Sequence, residues 1–174
     1  MNACSLGTIA LLLTSVVAGA DSPIFAELAP EAAAFRAELD HADGVYRDGE
    51  FLRVRFQANQ PLHVYVLYHQ ADGNAVMVFP NAGRPDSRLN QAGLQELPAR
   101  DDVVQCVIRG PFTEEAVQIV ASAEPIAALE AALTDSPEAV PVITSSQIDA
   151  VCAAHAASEG LAAQVLTVSS PAKE

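Results

Sequence analysis

The residues of this chain that could do chemistry are few, and they stand far apart in the sequence. Ser87 follows Asp86 in a polar stretch, and a hydrolase needs such a nucleophile beside a histidine or a second acid. No G-x-S-x-G turn surrounds Ser87, and no histidine is near it along the chain, the four being His41, His63, His69 and His155. A small hydrolase using Ser87 or Asp86 is therefore an alternative and not the leading prediction.

The cysteines offer a disulfide or a metal site. If a leader containing Cys4 is removed, Cys106 and Cys152 remain, and in an oxidising compartment they could form one disulfide. The alternative is two buried thiols. Cys152 and His155 share a helix face at a spacing of three, which is half of a metal site, but a closed zinc site needs about four ligands and no second Cys/His pair exists. No phosphate-binding glycine loop is present either, so the sequence predicts no metal and no cofactor.

The polar segment from Pro80 to Asp102 is the predicted recognition surface. It contains three prolines and two glycines, and neither the helical nor the strand period persists through it. Long irregular loops inside compact domains are usually functional or mobile, although this one could instead be a structural loop that caps its own turns. The predicted partner-binding side chains are Asn81, Arg84, Asp86, Ser87, Arg88 and Asn90.

Alternating apolar residues predict the strands that hold this loop. From Phe51 to Phe56, apolar residues alternate with arginines, which indicates a strand with one solvated face. The segment Leu62–His69 is apolar on both faces, and Asp72-Gly73 then gives a hairpin signal before a third strand, Ala75–Phe79. Together these segments predict an antiparallel meander.

The flanking segments complete the predicted fold, which is α+β: mainly antiparallel β in a sandwich-like meander, with an N-terminal helix and two C-terminal helices. The predicted elements are an alanine-rich helix over Ala29–Ala42, paired strands at Val103–Ile108 and Ala116–Ala121, helices at Pro125–Leu133 and Ser146–Gly160, and a last strand at Gln164–Val168. The predicted division is a signal peptide at 1–20, a helical segment at 21–44, one β-rich domain at 45–170 and a tail at 171–174.

The N-terminus and the charge limit location and partners. Met1–Ala20 resembles a secretory signal peptide, because its apolar run is too short to span a bilayer and Ala18-Gly19-Ala20 fits the cleavage pattern. We therefore expect export to a periplasmic or extracellular compartment, without stable membrane insertion after cleavage. The formal net charge is −13, from 22 acids against 9 bases. Such a charge predicts repulsion from nucleic acid and from anionic lipid, so neither is expected as a general partner.

A run of short pieces between Tyr46 and Pro125 carries a family resemblance. In order they are YRDGEFLRVRF, LHVYVLY-x-x-x-DGN-x-x-x-x-FPN, PDSRLNQAG, LP and PFTEEAVQIVASAEPI. In that order they resemble the domain-of-unknown-function 4384 family of bacterial, often exported or envelope-associated proteins. The resemblance implies a β-rich accessory module with a binding or scaffold role and carries over no catalytic residue.

The leading prediction is thus an exported, non-enzymatic domain that recognises a protein or envelope partner through the 80–102 loop. A structural or oligomerising module is the further alternative, and an exposed apolar patch would distinguish it.

Overall fold

The computed structural model describes residues 35–90, 93–136, 138–155 and 161–172. The strands in these ranges are β1 Phe35–Leu39, β2 Phe51–Leu52, β3 Val54–Ala58, β4 Leu62–His69, β5 Asn74–Phe79, β6 Arg88–Leu89, β7 Gly93–Leu97, β8 Cys106–Val107, β9 Phe112–Ser122, β10 Val142–Thr144 and β11 Leu161–Ser170. The helices are α1 Ala127–Asp135 and α2 Ser145–His155. The predicted signal peptide lies outside the described residues.

Three antiparallel sheets organise the strands. The largest runs β10-β5-β4-β9-β11, with β6 also paired to β4, and we call it the central sheet. The second runs β1-β3-β7, and the third is the pair β2-β8. Strand β4 lies inside the central sheet between β5 and β9, which explains why its sequence is apolar on both faces.

Two hydrophobic clusters cover the two faces of the central sheet. Alternate residues of β4 point to opposite sides, so Val64 and Val66 belong to one cluster while Tyr65 and Leu67 belong to the other. The first cluster also contains Val54, Phe56 and Leu97 from the second sheet. The second cluster contains Leu129 of α1 and both Ile148 and Cys152 of α2. The described chain is therefore α+β, mainly antiparallel β with two helices.

The hairpin between β4 and β5 is confirmed, but the three-strand meander is wrong. Gly73 adopts the positive φ, 86°, that this turn needs. Strand β3 pairs with β1 and β7 and not with β4, so the chain changes sheet in the turn before Leu62. The alternating pattern correctly gives the buried face of β3, because register is fixed by the side chains that must face the core. The alternating pattern does not indicate which strands pair with β3.

The predicted N-terminal helix is wrong from Phe35 onward. Residues 35–39 form β1, in which Ala37 and Leu39 are buried and Arg36 and Glu38 are exposed. The helix preference of alanine is worth only tenths of a kcal/mol per residue, about 0.7 kcal/mol at most against ordinary residues, and burial against β3 exceeds it. Residues 29–34 of that prediction lie outside the described residues.

The predicted pairing of Val103–Ile108 with Ala116–Ala121 is also wrong. Only Cys106–Val107 is a strand, and it pairs with β2. Strand β9 runs further than predicted and pairs with β4 on one side and β11 on the other. The apolar alternation before the Gly110-Pro111 turn therefore predicted a strand correctly only at Cys106–Val107, and the neighbouring strand is distant in sequence.

The two C-terminal helices are confirmed with shifted bounds: α1 is Ala127–Asp135, α2 begins at Ser145, and residues 156–160 of the second prediction lie outside the described residues. Thr144 and Gln147 form the capping box of α2: the Thr144 hydroxyl accepts the Gln147 N–H at 3.3 Å, and the Gln147 side chain accepts the Thr144 N–H at 3.1 Å. Ser146, the predicted first residue of this helix, lies inside it instead. No helix in the described ranges is both long and apolar enough to cross a membrane.

Candidate functional site

The segment 80–102 is fastened to both large sheets. It contains β6, which pairs with the start of β4, and β7, which forms the edge of the second sheet beside β3. The prediction of an irregular loop is therefore wrong for these two strands. Their short lengths and the intervening turns hid the strand period in the sequence.

Asn81 supports the first turn of this segment from inside. Its side chain is fully buried. Its Nδ2 donates to the carbonyl oxygen of Val78 at 2.8 Å, and its Oδ1 accepts the N–H groups of Gly83 and Arg84 at 2.9 and 3.0 Å. All of these bonds satisfy backbone groups of the turn, so Asn81 holds the segment and offers no surface to a partner.

Arg84 connects the two ends of the segment. Its Nη1 lies 3.6 Å from Oδ2 of Asp102, and its guanidinium carbon lies 4.9 Å from the ring centroid of Phe79. The ion pair is largely shielded, with 17% of the Asp102 side chain exposed. Arg84 is therefore committed to structure and is the less suitable of the two predicted arginines for testing recognition.

Ser87 lies in a buried hydrogen-bonded network that the fold assembles from distant parts of the chain. The residue is 3% exposed. Its Oγ lies 2.9 Å from Nδ1 of His63 on β4 and donates to Oε1 of Glu130 on α1 at 2.5 Å. The hydroxyl of Tyr65 donates to the same Oε1 at 2.7 Å and accepts the N–H of Ile126 at 2.9 Å. The pKa of Tyr65 is raised to about 12, most strongly by burial and next by the hydrogen bond to Glu130.

Which atoms of this network donate their hydrogen decides whether Ser87 can act as a nucleophile. A serine hydroxyl has one hydrogen, and here it goes to Glu130, so Nδ1 of His63 must carry the hydrogen of the remaining bond. A nucleophilic serine needs the reverse, with the histidine accepting the serine proton and the acid bonded to the histidine. The fold thus brings a histidine to Ser87, as the hydrolase alternative requires. The hydrogen bonds run from His63 to Ser87 and from Ser87 to Glu130, and they hold the 80–102 segment against β4 and α1.

The exposed residues of the segment are linked by hydrogen bonds of their own. Asp86 Oδ1 accepts the N–H of Arg88 at 2.9 Å, and Nε of Arg88 donates to Oδ1 of Asn90 at 2.8 Å. All three side chains are exposed to solvent. Of the predicted partner-binding residues, Asp86, Arg88 and Asn90 are therefore the ones displayed on the surface.

A second polar cluster, which the sequence analysis missed, lies between the central sheet and α2. His69 is 2% exposed; its Nδ1 lies 3.0 Å from the Ser145 hydroxyl and its Nε2 lies 3.0 Å from Gln118 Oε1. Nε2 of Gln118 in turn donates to the Cys152 sulfur at 3.8 Å. The strand period was the available signal, because His69 has the same parity as Tyr65 and Leu67, which face the helices.

Burial makes this cluster sensitive to pH. Desolvation lowers the pKa of His69 from its ordinary value of 6.5, against smaller opposing effects of Gln118 and Asp149. In the unfolded chain His69 takes up a proton near pH 6.5, whereas its lowered pKa delays this protonation in the folded chain. The contribution of neutral His69 to the free energy of unfolding is therefore complete above pH 6.5 and declines as the pH falls below it. Burial raises the pKa of Asp149, whose effect has the opposite sign at more acidic pH.

We therefore expect the melting temperature of the native chain to fall more steeply between pH 7.5 and pH 5.5, roughly one unit either side of the ordinary pKa, than that of His69→Gln. Glutamine keeps a donor and an acceptor in the site but does not titrate. The measurement is thermal unfolding followed by circular dichroism across this range. His41, His63 and His155 are present in both proteins, so parallel pH profiles would contradict the role given to His69.

The predicted disulfide is absent, and Cys106 and Cys152 are free thiols. They lie in different surroundings: Cys106 packs against the first cluster and Cys152 belongs to the second, on the other face of the central sheet. Burial raises the pKa of Cys106 to about 12 and that of Cys152 to about 11, so both stay protonated at neutral pH.

Nδ1 of His155 lies 2.8 Å from the carbonyl oxygen of Val151. No group of three or more metal-ligating side chains occurs in the described part of the chain.

One segment of the chain is similar to a known family. Residues 45–125 match the family model of DUF4384, a domain of unknown function. The family resemblance predicted from the sequence is confirmed for this segment. No curated protein and no solved structure matches the chain. The DUF4384 segment contains β2 to β9, with His63, Tyr65 and Ser87, but Glu130 lies beyond its end.

Proposed function

We propose that this chain is an exported, non-enzymatic binding domain with a sandwich-like packing of its two larger sheets. It recognises a protein or an envelope component through the exposed residues Asp86, Arg88 and Asn90. The observation that supports this proposal most is the contrast within one segment: Asn81 and Ser87 are buried and bonded to the fold, while the three displayed side chains lie between and beyond them.

Rigid presentation supports a binding role. Ordering a side chain or loop on association costs about 0.5–1.5 kcal/mol per rotamer-rich side chain, and a surface that is already ordered avoids part of this cost. Here the bond from Asp86 to the Arg88 backbone fixes the turn, and the bond from Arg88 to Asn90 fixes the guanidinium. Because Nε is the only guanidinium nitrogen of Arg88 that is bonded within the described residues, its two Nη groups are offered to a carboxylate or similar acceptor on the partner.

Export is part of the proposal and is supported by the pattern of Met1–Ala20. The hydrolase alternative has support from the approach of His63 to Ser87, but the proton order and the burial of Ser87 favour a structural role for this contact.

Arg88→Ala is the direct test. We expect it to weaken capture of the partner at least about 30-fold, the effect of losing an arginine at the centre of an interface, without lowering the melting temperature. The immobilised mature chain is incubated with envelope extract from its own cells, and the captured component is then purified and its affinity measured by calorimetry. Arg36→Ala is the matched control, because the Arg36 side chain is 79% exposed and lies on β1 in the other sheet. Equal affinity of the Arg88 and Arg36 variants would reject recognition through this segment.

A further inference from the structure

A small apolar cavity opens near the C-terminal end of β4, whereas β6 pairs with the start of that strand. It has a volume of about 170 Å³ and lies where the segment Val104–Val107 crosses the first-cluster face of the central sheet. Its walls are mainly aliphatic, from Val76 and Val78 of β5, Val104, Val107 and Val140, and are completed by Tyr68, Gln70, Gln105 and Cys106. A cavity of roughly 150 Å³ lined by apolar side chains is large enough to hold a benzene ring. The space therefore fits one leucine or phenylalanine side chain.

Exposed apolar residues are neighbours of the residues that line this cavity, along the chain or across a strand pair. Val103, which is 90% exposed, precedes the lining residue Val104. Phe51, 45% exposed, is the cross-strand partner of Val107, and Val142, 59% exposed, is the cross-strand partner of Val76. Directly opposed residues of an antiparallel pair project from the same face, so these side chains extend the cavity into a wider apolar surface. A small molecule in the cavity would leave this rim in water, which indicates a macromolecular occupant.

Two of the polar residues that line the cavity, Gln105 and Tyr68, are engaged in hydrogen bonds, and the third, Gln70, is exposed to solvent. The Gln105 amide donates to the carbonyl oxygens of Ala99 and Asp102 at 2.7 Å, and its Oε1 accepts Nη2 of Arg53 at 3.2 Å. The Tyr68 hydroxyl donates to Glu115. The walls thus offer shape and apolar contact to an occupant, with few groups that would require pairing.

Charge indicates the kind of partner. The surroundings of the cavity carry Glu115 beside Tyr68, Asp101 beside Val103, and Glu138 near Val140. Asp102 is already neutralised by Arg84, and the opposing charges are Arg53, over the Phe51 ring at 5.2 Å, and Arg109, two residues after Val107. A second copy would bring the same acidic surroundings face to face across a two-fold axis, and each chain has a net charge of −13. Both charge considerations favour a basic partner.

We infer that the cavity receives one apolar side chain, of leucine or phenylalanine size, from a basic protein partner. This surface is separate from Arg88: β6 pairs with Leu62 and His63 at the start of β4, whereas Tyr68 is near its end, roughly 17–20 Å away at the rise of a strand. The inference therefore stands independently of the proposed role of the 80–102 segment.

The test uses the full chain and three synthetic peptides: four lysines around a central phenylalanine, the same peptide with alanine at the centre, and the phenylalanine peptide with glutamates in place of lysines. We expect the lysine–phenylalanine peptide to bind about tenfold to hundredfold more tightly than the alanine peptide, as burial of one aromatic side chain predicts. The glutamate peptide should not bind. Amide shifts in nuclear magnetic resonance spectra should map to Tyr68, Val78 and Val107.

Two variants make the result specific. Val76→Phe fills the cavity from a partly exposed strand position and should reduce binding of the lysine–phenylalanine peptide to the level of the alanine peptide. Val103→Ser changes only the exposed rim, so it keeps the test valid if the first variant fails to fold. Leu94→Phe, at an exposed position of β7, is the matched control and should bind as the native chain does.

Three outcomes would overturn the inference. The first is equal affinity for the phenylalanine and alanine peptides, which would reduce binding to charge alone. The second is full binding by both Val76→Phe and Val103→Ser. The third is a dimer in sedimentation experiments that Val103→Ser dissociates, because the occupant would then be a second copy of the chain.

Discussion

Replacement of Gly44 by alanine is expected to lower the free energy of unfolding by about 2–5 kcal/mol. Gly44 has a φ of 68°, and this left-handed conformation costs an alanine about 1–2 kcal/mol. A Cβ at this position would also overlap the backbone carbonyl oxygen of Thr167 on β11. The neighbour is main chain inside a strand, so it cannot rotate away, and forcing room for a methyl group costs typically about 1–3 kcal/mol more.

A matched substitution separates the two effects. Gly73 has a φ of 86° at the tip of the β4–β5 hairpin, but a Cβ there would meet nothing within 4 Å. Gly73→Ala should therefore cost only the conformational part, about 1–2 kcal/mol. Chemical denaturation of both variants in the same buffer gives the comparison. If both substitutions cost the same, Gly44 is required only for its φ, and the tight contact between the 41–46 turn and β11 has no energetic role.

Glu130→Ala is expected to lower the free energy of unfolding by about 2–3 kcal/mol. The carboxylate accepts hydrogen bonds from Ser87 and Tyr65, and its removal leaves two hydroxyl groups, both in largely buried residues, without their acceptor. Bonds to a charged acceptor are worth about 1.5–3 kcal/mol, and an unsatisfied buried donor adds its desolvation cost. Glu130→Gln keeps Oε1 as an acceptor and should lower the free energy of unfolding by less than Glu130→Ala does. Urea denaturation followed by circular dichroism measures all of these variants.

A double-mutant cycle and a surface control complete this experiment. Tyr65→Phe combined with Glu130→Ala should cost less than the sum of the two single changes, by about 0.5–3 kcal/mol, because the residues share one bond. Asp135→Ala removes an exposed acid from the same helix and should change stability by no more than about 0.5 kcal/mol. Strict additivity of the Tyr65 and Glu130 changes would show that the network does not act as a unit.

Local sequence patterns predicted the elements that depend on local physics. The hairpin at Asp72-Gly73, the two C-terminal helices and the last strand follow from turn chemistry, caps and periodicity, and all are present. Strand β1 was missed because an alanine-rich composition favours a helix weakly, while the burial that decides the matter comes from β3, which is remote in sequence.

The candidate site could be predicted only in part. Asp86, Arg88 and Asn90 are exposed, as expected of polar residues in a turn-rich segment, and their role in binding stays a prediction. The contact of Ser87 with His63 spans 24 positions and its contact with Glu130 spans 43. No periodicity connects residues at such separations; their meeting is set by the pairing of β6 with β4 and by the packing of α1 on the central sheet.

The matched segment does not complete its own sheets. Strand β1, which precedes residue 45, closes the second sheet beside β3, while β10 and β11, which follow residue 125, form both margins of the central sheet. Without them, β3, β5 and β9 would each present a row of unpaired backbone groups, which are templates for uncontrolled association. In this chain the matched segment therefore obtains its bordering strands from the flanking chain on both sides. Expression trials of the segment should include both flanks.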